Sequence, residues 1–275
     1  MSTVSNTDQE KLLHQVFPNI ASQLRGALGN IHSALNRIAP MEERERDAQL
    51  DTNAALLYQS YYRILRVVNN LTDAAGLLED TPLPLENDDI VGFCRDLCHR
   101  CEDLAALRNH TLIFKSDKSG HVIAFNGEYL ERLLLNLLSN AFKFTPEGGT
   151  ITVSVKVHPS TVELTVLDTG VGISQELLPT LFDRYLHTER MDPAPFGLGL
   201  GLPICRRIAA GHGGSIMVTS TEGVGTRVVV SLPNRETDTV RVKDLAFDYA
   251  GGFNHMLLEL SDALPYTAFT HQNLD

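Results

Sequence analysis

The sequence predicts two domains: an all-α antiparallel helical hairpin, followed by an α+β sandwich with helices on one sheet face. Three observations carry that prediction. Residues from about 8 to 80 show helical periodicity with almost no strand signal. Short alternating apolar runs then recur near 111–116, 121–125, 150–157, 161–168, 214–220 and 225–232. Helical periodicity returns between them near 87–109, 127–144 and 200–211, and the strands are mostly hairpin-connected, which favours α+β over a parallel sheet.

In the first domain, taken as 1–80, Ile20, Leu24, Ile31, Leu35 and Ile38 fall mainly on one stripe, with Leu28 beside them. Pro18 is expected to start or kink this helix. Pro40 and the charged run Glu43-Arg44-Glu45-Arg46-Asp47 separate it from the next one. There, Leu57, Tyr61, Ile64, Val68, Leu71, Ala75 and Leu78 alternate steps of four and three, which is a heptad seam. Two antiparallel helices bury little by themselves, so self-association into a four-helix bundle, a homodimer, is expected. Thr81-Pro82-Leu83-Pro84 is a linker at 81–84, and the mixed domain spans 85–233. Within it Pro159-Ser160 turns one strand into the next, and a short helix is expected near 174–181. A C-terminal extension, 234–275, carries a helix through Phe253–Leu264 stopped by Pro265, and no chemistry is visible in it.

Bulk properties narrow the function. The chain has 275 residues, 43% hydrophobic, enough for a substantial core. Its net charge of −11 argues against nucleic acid or anionic lipid as the main partner. No apolar run reaches membrane-spanning length, and Met1–Asn6 has neither a basic nor an apolar leader region, so a soluble cytoplasmic protein is expected. Cys94, Cys98 and Cys101, with His99 and His110 nearby, have a metal-site look. With Val91, Leu104 and Ala105, however, the cysteines repeat at helical spacing, and an apolar helix face is the expectation. Cys205 is expected to pack in the core.

Three constellations carry chemistry. Asn136, Asn140 and Lys143 are spaced by four and three on one helix face. Two amide oxygens and an ammonium there suit a phosphate chain with its Mg²⁺. Asp168-Thr169-Gly170-Val171-Gly172 directly follows a strand. Its glycines allow a tight turn, and its carboxylate suits the exocyclic amine of adenine while repelling the carbonyl oxygen that guanine offers. Gly197-Leu198-Gly199-Leu200-Gly201-Leu202 runs into a helix whose first turn holds Pro203. Such a ribbon presents backbone N–H groups to anions, yet it is neither a Walker loop nor a dinucleotide fingerprint.

These three, with Leu181-Phe182-Asp183-Arg184-Tyr185 and Gly223-Val224-Gly225-Thr226, occur in the order found in sensor histidine kinases, and residues 85–233 resemble the ATPase domain of that family. The resemblance implies an ATP and Mg²⁺ site with Asp168 reading adenine, Asn140 and Asn136 holding the metal, and Lys143 beside the phosphates. It implies further ATP contacts from Gly170, Gly172, Gly197, Gly199, Gly201, Leu202 and Thr226, and a lid at 183–196 with Phe182 at its base. His187 stands where the family often has arginine.

The hairpin resembles the family's dimerisation and phosphotransfer domain. Gln23-Leu24-Arg25-Gly26-Ala27-Leu28 is similar to its Glu-Leu-Arg-Thr-Pro-Leu, and Asn69-Asn70-Leu71-Thr72-Asp73 to its Asn-Asp-Leu-Leu-Asp. Ser22, however, occupies the phosphoacceptor histidine position, and Gln23 replaces the neighbouring acid. A serine hydroxyl needs a base that Gln23 cannot supply, so autophosphorylation at the usual residue is not expected. Gly26 has no side chain to orient a hydrolytic water. His14 and His32 are displaced along the helix by roughly 12 and 15 Å, at 1.5 Å per residue, too far for in-line transfer. Hydrolytic relatives of the gyrase and chaperone type carry a glutamate base where Asn136 stands, so appreciable ATPase activity is not expected either. The resemblance implies a response regulator or partner kinase as the macromolecular partner. It leaves three activities open: an unusual histidine kinase, a pseudokinase scaffold, or a serine kinase of anti-sigma type, the last disfavoured by the heptad seam.

Overall fold

The computed structural model describes residues 6–76, 83–182, 199–238 and 254–273. Its contacts divide the chain into two units, Met1–Asp80 with Tyr266–Asp275, and Thr81–Pro265.

The first unit is built from α1 (Asn6–Ile38), the single turn α2 (Met41–Arg44) and α3 (Ala48–Gly76). Arg25 donates to Asn69 Oδ1 (3.1 Å) and Thr72 Oγ1 (2.9 Å), while Asn36 meets the Tyr58 hydroxyl. The partner number falls as the first rises, so α1 and α3 run antiparallel. The seam between them is Ala21, Leu28 and Leu35 against Tyr58, Tyr61, Leu65 and Val68. His32 packs its ring against Tyr58 and Tyr61 at centroid distances of 5.8 and 5.2 Å, and this burial lowers its pKa.

Part of the expected stripe and seam lies outside this contact. Leu28 and Leu35 face inward, whereas Ile20, Leu24, Ile31 and Ile38 are exposed, as are Leu57 and Ile64 of the predicted seam. One helix pair needs only a narrow line of contact, and the apolar residues about a fifth of a turn away, at 3.6 residues per turn, remain outside it. Leu78 and the linker's Thr81-Pro82 lie outside the described residues, as do the side chains of His14, Leu71 and Ala75.

The chain's last piece completes this unit. Arg44, almost wholly buried, bonds Asp51 (2.8 Å) and the Phe269 carbonyl (2.7 Å) and lies over the Tyr58 ring. His271 donates its backbone N–H to Asp51 Oδ1 (3.0 Å) and sets Nδ1 2.9 Å from Oδ2. Burial pushes the Asp51 carboxyl up, but the hydrogen bonds from His271 and Arg44 outweigh it and hold the pKa below its ordinary value.

The second unit contains β1 (Glu86–Asp89), α4 (Ile90–Ala106), β2 (Thr111–Ser116), β3 (Val122–Phe125), α5 (Gly127–Phe144), β4 (Thr150–Val157), β5 (Thr161–Asp168), α6 (Gly201–Gly211), β6 (Ser215–Thr221), β7 (Gly225–Pro233) and α7 (His255–Leu260). Five strands form one mixed sheet in the order β2-β4-β5-β7-β6. β2 and β4 are parallel, and the other pairs are antiparallel. Ile151, Val153 and Val155 of β4 and Val162, Leu164 and Val166 of β5 alternate inward. They bury one sheet face beneath the helix layer.

Two expectations are corrected here, and one strand is added. β1 was not expected, and it pairs with β3 in a separate two-stranded sheet. The helix expected from 87 starts at Ile90, where Asp89 caps it by accepting from Val91 N at 3.1 Å. The helix expected near 174–181 is a 3₁₀ turn, Leu178–Thr180. Cys94, Cys98 and Cys101 lie buried on the inward face of α4 with Val91 and Leu97. Burial pushes the Cys94 and Cys101 thiols up to about 12, so they are inert at neutral pH.

Candidate functional site

The site assembles around α5. Asn126 caps the helix, accepting from Tyr129 N at 3.1 Å. Leu130, Leu133, Leu134, Leu137 and Leu138 fix it to the core. With that face buried, Asn136, Asn140 and Lys143 lie on successive turns of another face. Asn136 is buried, and its Nδ2 donates to the Arg132 carbonyl (3.0 Å) and to Glu259 Oε2 (3.1 Å). Asn140 is half-buried. Lys143 Nζ lies 3.2 Å from Asp262 Oδ2.

Asp168 ends β5. Its Oδ1 accepts from Gly170 N (2.9 Å) and from Thr226 N (3.1 Å), at the start of β7. Among the described residues no hydrogen bond reaches Oδ2. The carboxyl is mostly buried, which raises its pKa, and the two backbone bonds only partly oppose that rise. The turn then docks on the end of α5: Val171 N donates to the Phe144 carbonyl at 3.0 Å, and a β-carbon on Gly170 would stand 2.4 Å from the same oxygen. Gly225, at φ +139°, would drive a β-carbon to within 2.0 Å of the Asp168 carbonyl oxygen. Ser220 Oγ accepts from Ile173 N (2.8 Å) and meets Thr226 Oγ1 (2.9 Å), tying the far side of the turn to β6.

The glycine ribbon reaches the same helix. A β-carbon on Gly201, the first residue of α6, would lie 3.0 Å from Asn136 Oδ1. Gly199 has a φ of +69°, Leu200 is buried as an anchor, and Leu202 is half-buried. Arg206 holds Phe182, its guanidinium 5.3 Å from the ring centroid and bonded to the Phe182 carbonyl at 3.3 Å. Gly197, His187 and the expected lid at 183–196 lie outside the described residues.

The structure therefore gathers Asp168, Gly170, Gly172 and Thr226 at the C-terminal end of α5, and Gly201 against Asn136, about two turns back along the helix. Glu259 and Asp262 are two groups that sequence reasoning missed. The leucine-rich run Met256-Leu257-Leu258, followed by Leu260, Ala263 and Leu264, was a signal that the extension packs on something.

Residues 126–236 match the histidine kinase-, DNA gyrase B- and HSP90-like ATPase family. The chain is 30% identical over 232 residues to histidine kinase P4 of Formosa agariphila, an alignment covering 82% of this chain and 17% of that protein. It is 28% identical over 235 residues to the adaptive-response sensory kinase SasA of Microcystis aeruginosa, covering 82% and 60%. A crystal structure of full-length ShkA in complex with AMPPNP superposes with a TM-score of 0.60 at 25% identity, covering 78% of this chain and 46% of that one. The chain thus spans less than two thirds of the length of these relatives. Among the described residues no helix is long and apolar enough to cross a membrane. A sheet-backed α5 bearing two asparagines and a lysine, an aspartate turn docked on its end and a glycine ribbon beside it, with these relatives, make the chain a member of the sensor histidine kinase family, with a histidine kinase-like ATPase domain at 126–236.

Proposed function

We propose that the chain binds ATP with Mg²⁺ on α5 and acts in two-component signalling without phosphorylating itself at the usual position. The arrangement of Asp168 carries this reading. Two backbone N–H groups hold Oδ1, so Oδ2 is oriented to accept from the adenine amine. A guanine carbonyl there would meet a carboxylate and be repelled.

Asn136 and Asn140 offer the neutral amide oxygens that Mg²⁺ accepts alongside phosphate and water, and the donor set fits that ion. The bound metal would neutralise phosphate charge. The chain's own residues do the rest. Lys143 supplies a point charge to the phosphate oxygens. Gly201 allows the ribbon to close against Asn136 without a side chain intervening. Gly170, Gly172 and Thr226 keep the aspartate turn tight.

The second reading, a nucleotide-gated scaffold that regulates a response regulator or partner kinase, is favoured by Ser22. This residue is exposed on α1 and followed by Gln23, which is no base. His32 packs among tyrosines and offers no substitute acceptor. Self-association through the exposed Ile20, Leu24, Ile31 and Ile38 would supply the second half of a four-helix bundle.

Labelled ATP separates the readings. Acid-labile phosphate is expected in Ser22→His and absent from the parent. Label in the parent that survives removal of Ser22 would point to a different acceptor and contradict the scaffold. Label in neither, with nucleotide bound, would place the loss in the catalytic domain as well.

A further inference from the structure

We propose that Asn254–Leu264 is an autoinhibitory latch that covers the phosphate-binding face of α5 with its own carboxylates. The inference rests on the nucleotide reading above. Asn254 caps α7, accepting from Met256 N (3.0 Å) and Leu257 N (3.2 Å). Leu257, Leu258, Leu260, Ala263 and Leu264 are all buried, so the segment is seated rather than resting on the surface. Met256 Sδ lies 3.8 Å from Cys101 Sγ of α4, and His255 Nδ1 lies 2.9 Å from Glu131 Oε2 of α5.

The polar contacts decide what the segment does. Glu259, fully buried, accepts from Asn136 Nδ2 at 3.1 Å through one oxygen and pairs with Arg132 Nε at 3.3 Å through the other. Asp262 pairs with Lys143 at 3.2 Å. Asn136 and Lys143 are the groups that the nucleotide reading assigns to metal and phosphate. Two carboxylates therefore stand where polyphosphate oxygens would draw on the same amide and ammonium. Both anions cannot hold those partners together: the carboxylates would sit against phosphate charge in a poorly solvated site. Nucleotide binding consequently selects the state in which the segment has left α5, and the apparent affinity is reduced by the fraction of molecules in that state. A buried glutamate used only for packing would serve better as a leucine. Its contact with Asn136 and Arg132 is understandable as a contact designed to break.

The test uses the full chain and Mg²⁺ with AMPPNP, a non-hydrolysable ATP analogue. Calorimetric titration of the parent is compared with Glu259→Gln/Asp262→Asn, and hydrogen exchange of 254–264 is followed in the parent with and without saturating nucleotide. The latch predicts tighter binding by the double variant, about tenfold or more from the gain in competent fraction, and faster exchange of 254–264 in the saturated parent. Exchange that stays equally protected at saturation overturns the latch, whatever the variant does, and leaves the nucleotide reading standing. Absence of binding by both proteins overturns the latch and the nucleotide reading together.

Discussion

Replacing Asp168 with asparagine separates recognition from folding. In the Asp168→Asn variant the amide oxygen keeps the acceptor for Gly170 N and Thr226 N, so the turn is retained. The other end becomes an NH₂ group that faces the adenine amine, donor against donor. A hydrogen bond to a charged acceptor contributes about 1.5–3 kcal/mol, and leaving a buried donor unmet costs about 1–3 kcal/mol more. A total near 3–4 kcal/mol is a loss of roughly two to three decades in affinity at about 1.4 kcal/mol per decade. Stability moves differently. Burial raises the Asp168 pKa, so the ionised carboxylate is held at a cost in the folded state, and removing its charge relieves that cost. The variant should melt no lower than the parent. Calorimetry with Mg²⁺ and AMPPNP, beside a thermal melt, reads both quantities. Parent-like affinity would refute the adenine contact. A collapsed melt would show that the carboxylate is structural.

Three further outcomes follow from the same geometry. Asp51→Asn disrupts a buried pair and should destabilise the helical unit by roughly 3 kcal/mol at about pH 7. Because Asp51 is held below its ordinary value of 3.8, its contribution is present above that value and fades as pH falls through the lower native one, so the gap in urea midpoint between parent and variant should narrow as pH falls below 3.8; a gap independent of pH contradicts the pairing. Ile31→Asp alters an exposed residue of the outer stripe, and sedimentation should find a dimer for the parent and a monomer for the variant; identical sedimentation of the two rejects the stripe as the interface. Gly225→Ala, at φ +139° and against the Asp168 carbonyl, should cost well over about 1 kcal/mol in a melt and weaken nucleotide binding as the turn shifts; a neutral result would mean that the turn does not position Asp168.

Much of the candidate site was legible because its geometry is local. A helix puts positions 136, 140 and 143 on one face, and glycines after an aspartate at a strand end allow the tight turn found there. What escaped the sequence is what depends on distant partners. β1 is Glu86-Asn87-Asp88-Asp89, without a single apolar residue to announce a strand, and only pairing with β3 makes it one. Periodicity placed the apolar residues of α1 on one stripe with Leu28 beside it, but not which edge of that stripe would face α3, because residues on both edges satisfy the same spacing. Glu259 and Asp262 reach residues 123 and 119 positions away. Their role comes from tertiary placement, and the sequence offered only an apolar rhythm around them.

Recognition of an adenine nucleotide by one face of α5 together with the Asp168 turn can be read from parallel calorimetric titrations with Mg²⁺-ATP and Mg²⁺-GTP, on the parent and on Glu259→Gln/Asp262→Asn. Saturable heat with ATP, and none or roughly a hundredfold weaker binding with GTP, is the predicted result, the ratio following from the loss of one charge-assisted contact and its replacement by repulsion. No heat from either nucleotide with either protein, or equal affinity for both nucleotides, would contradict it.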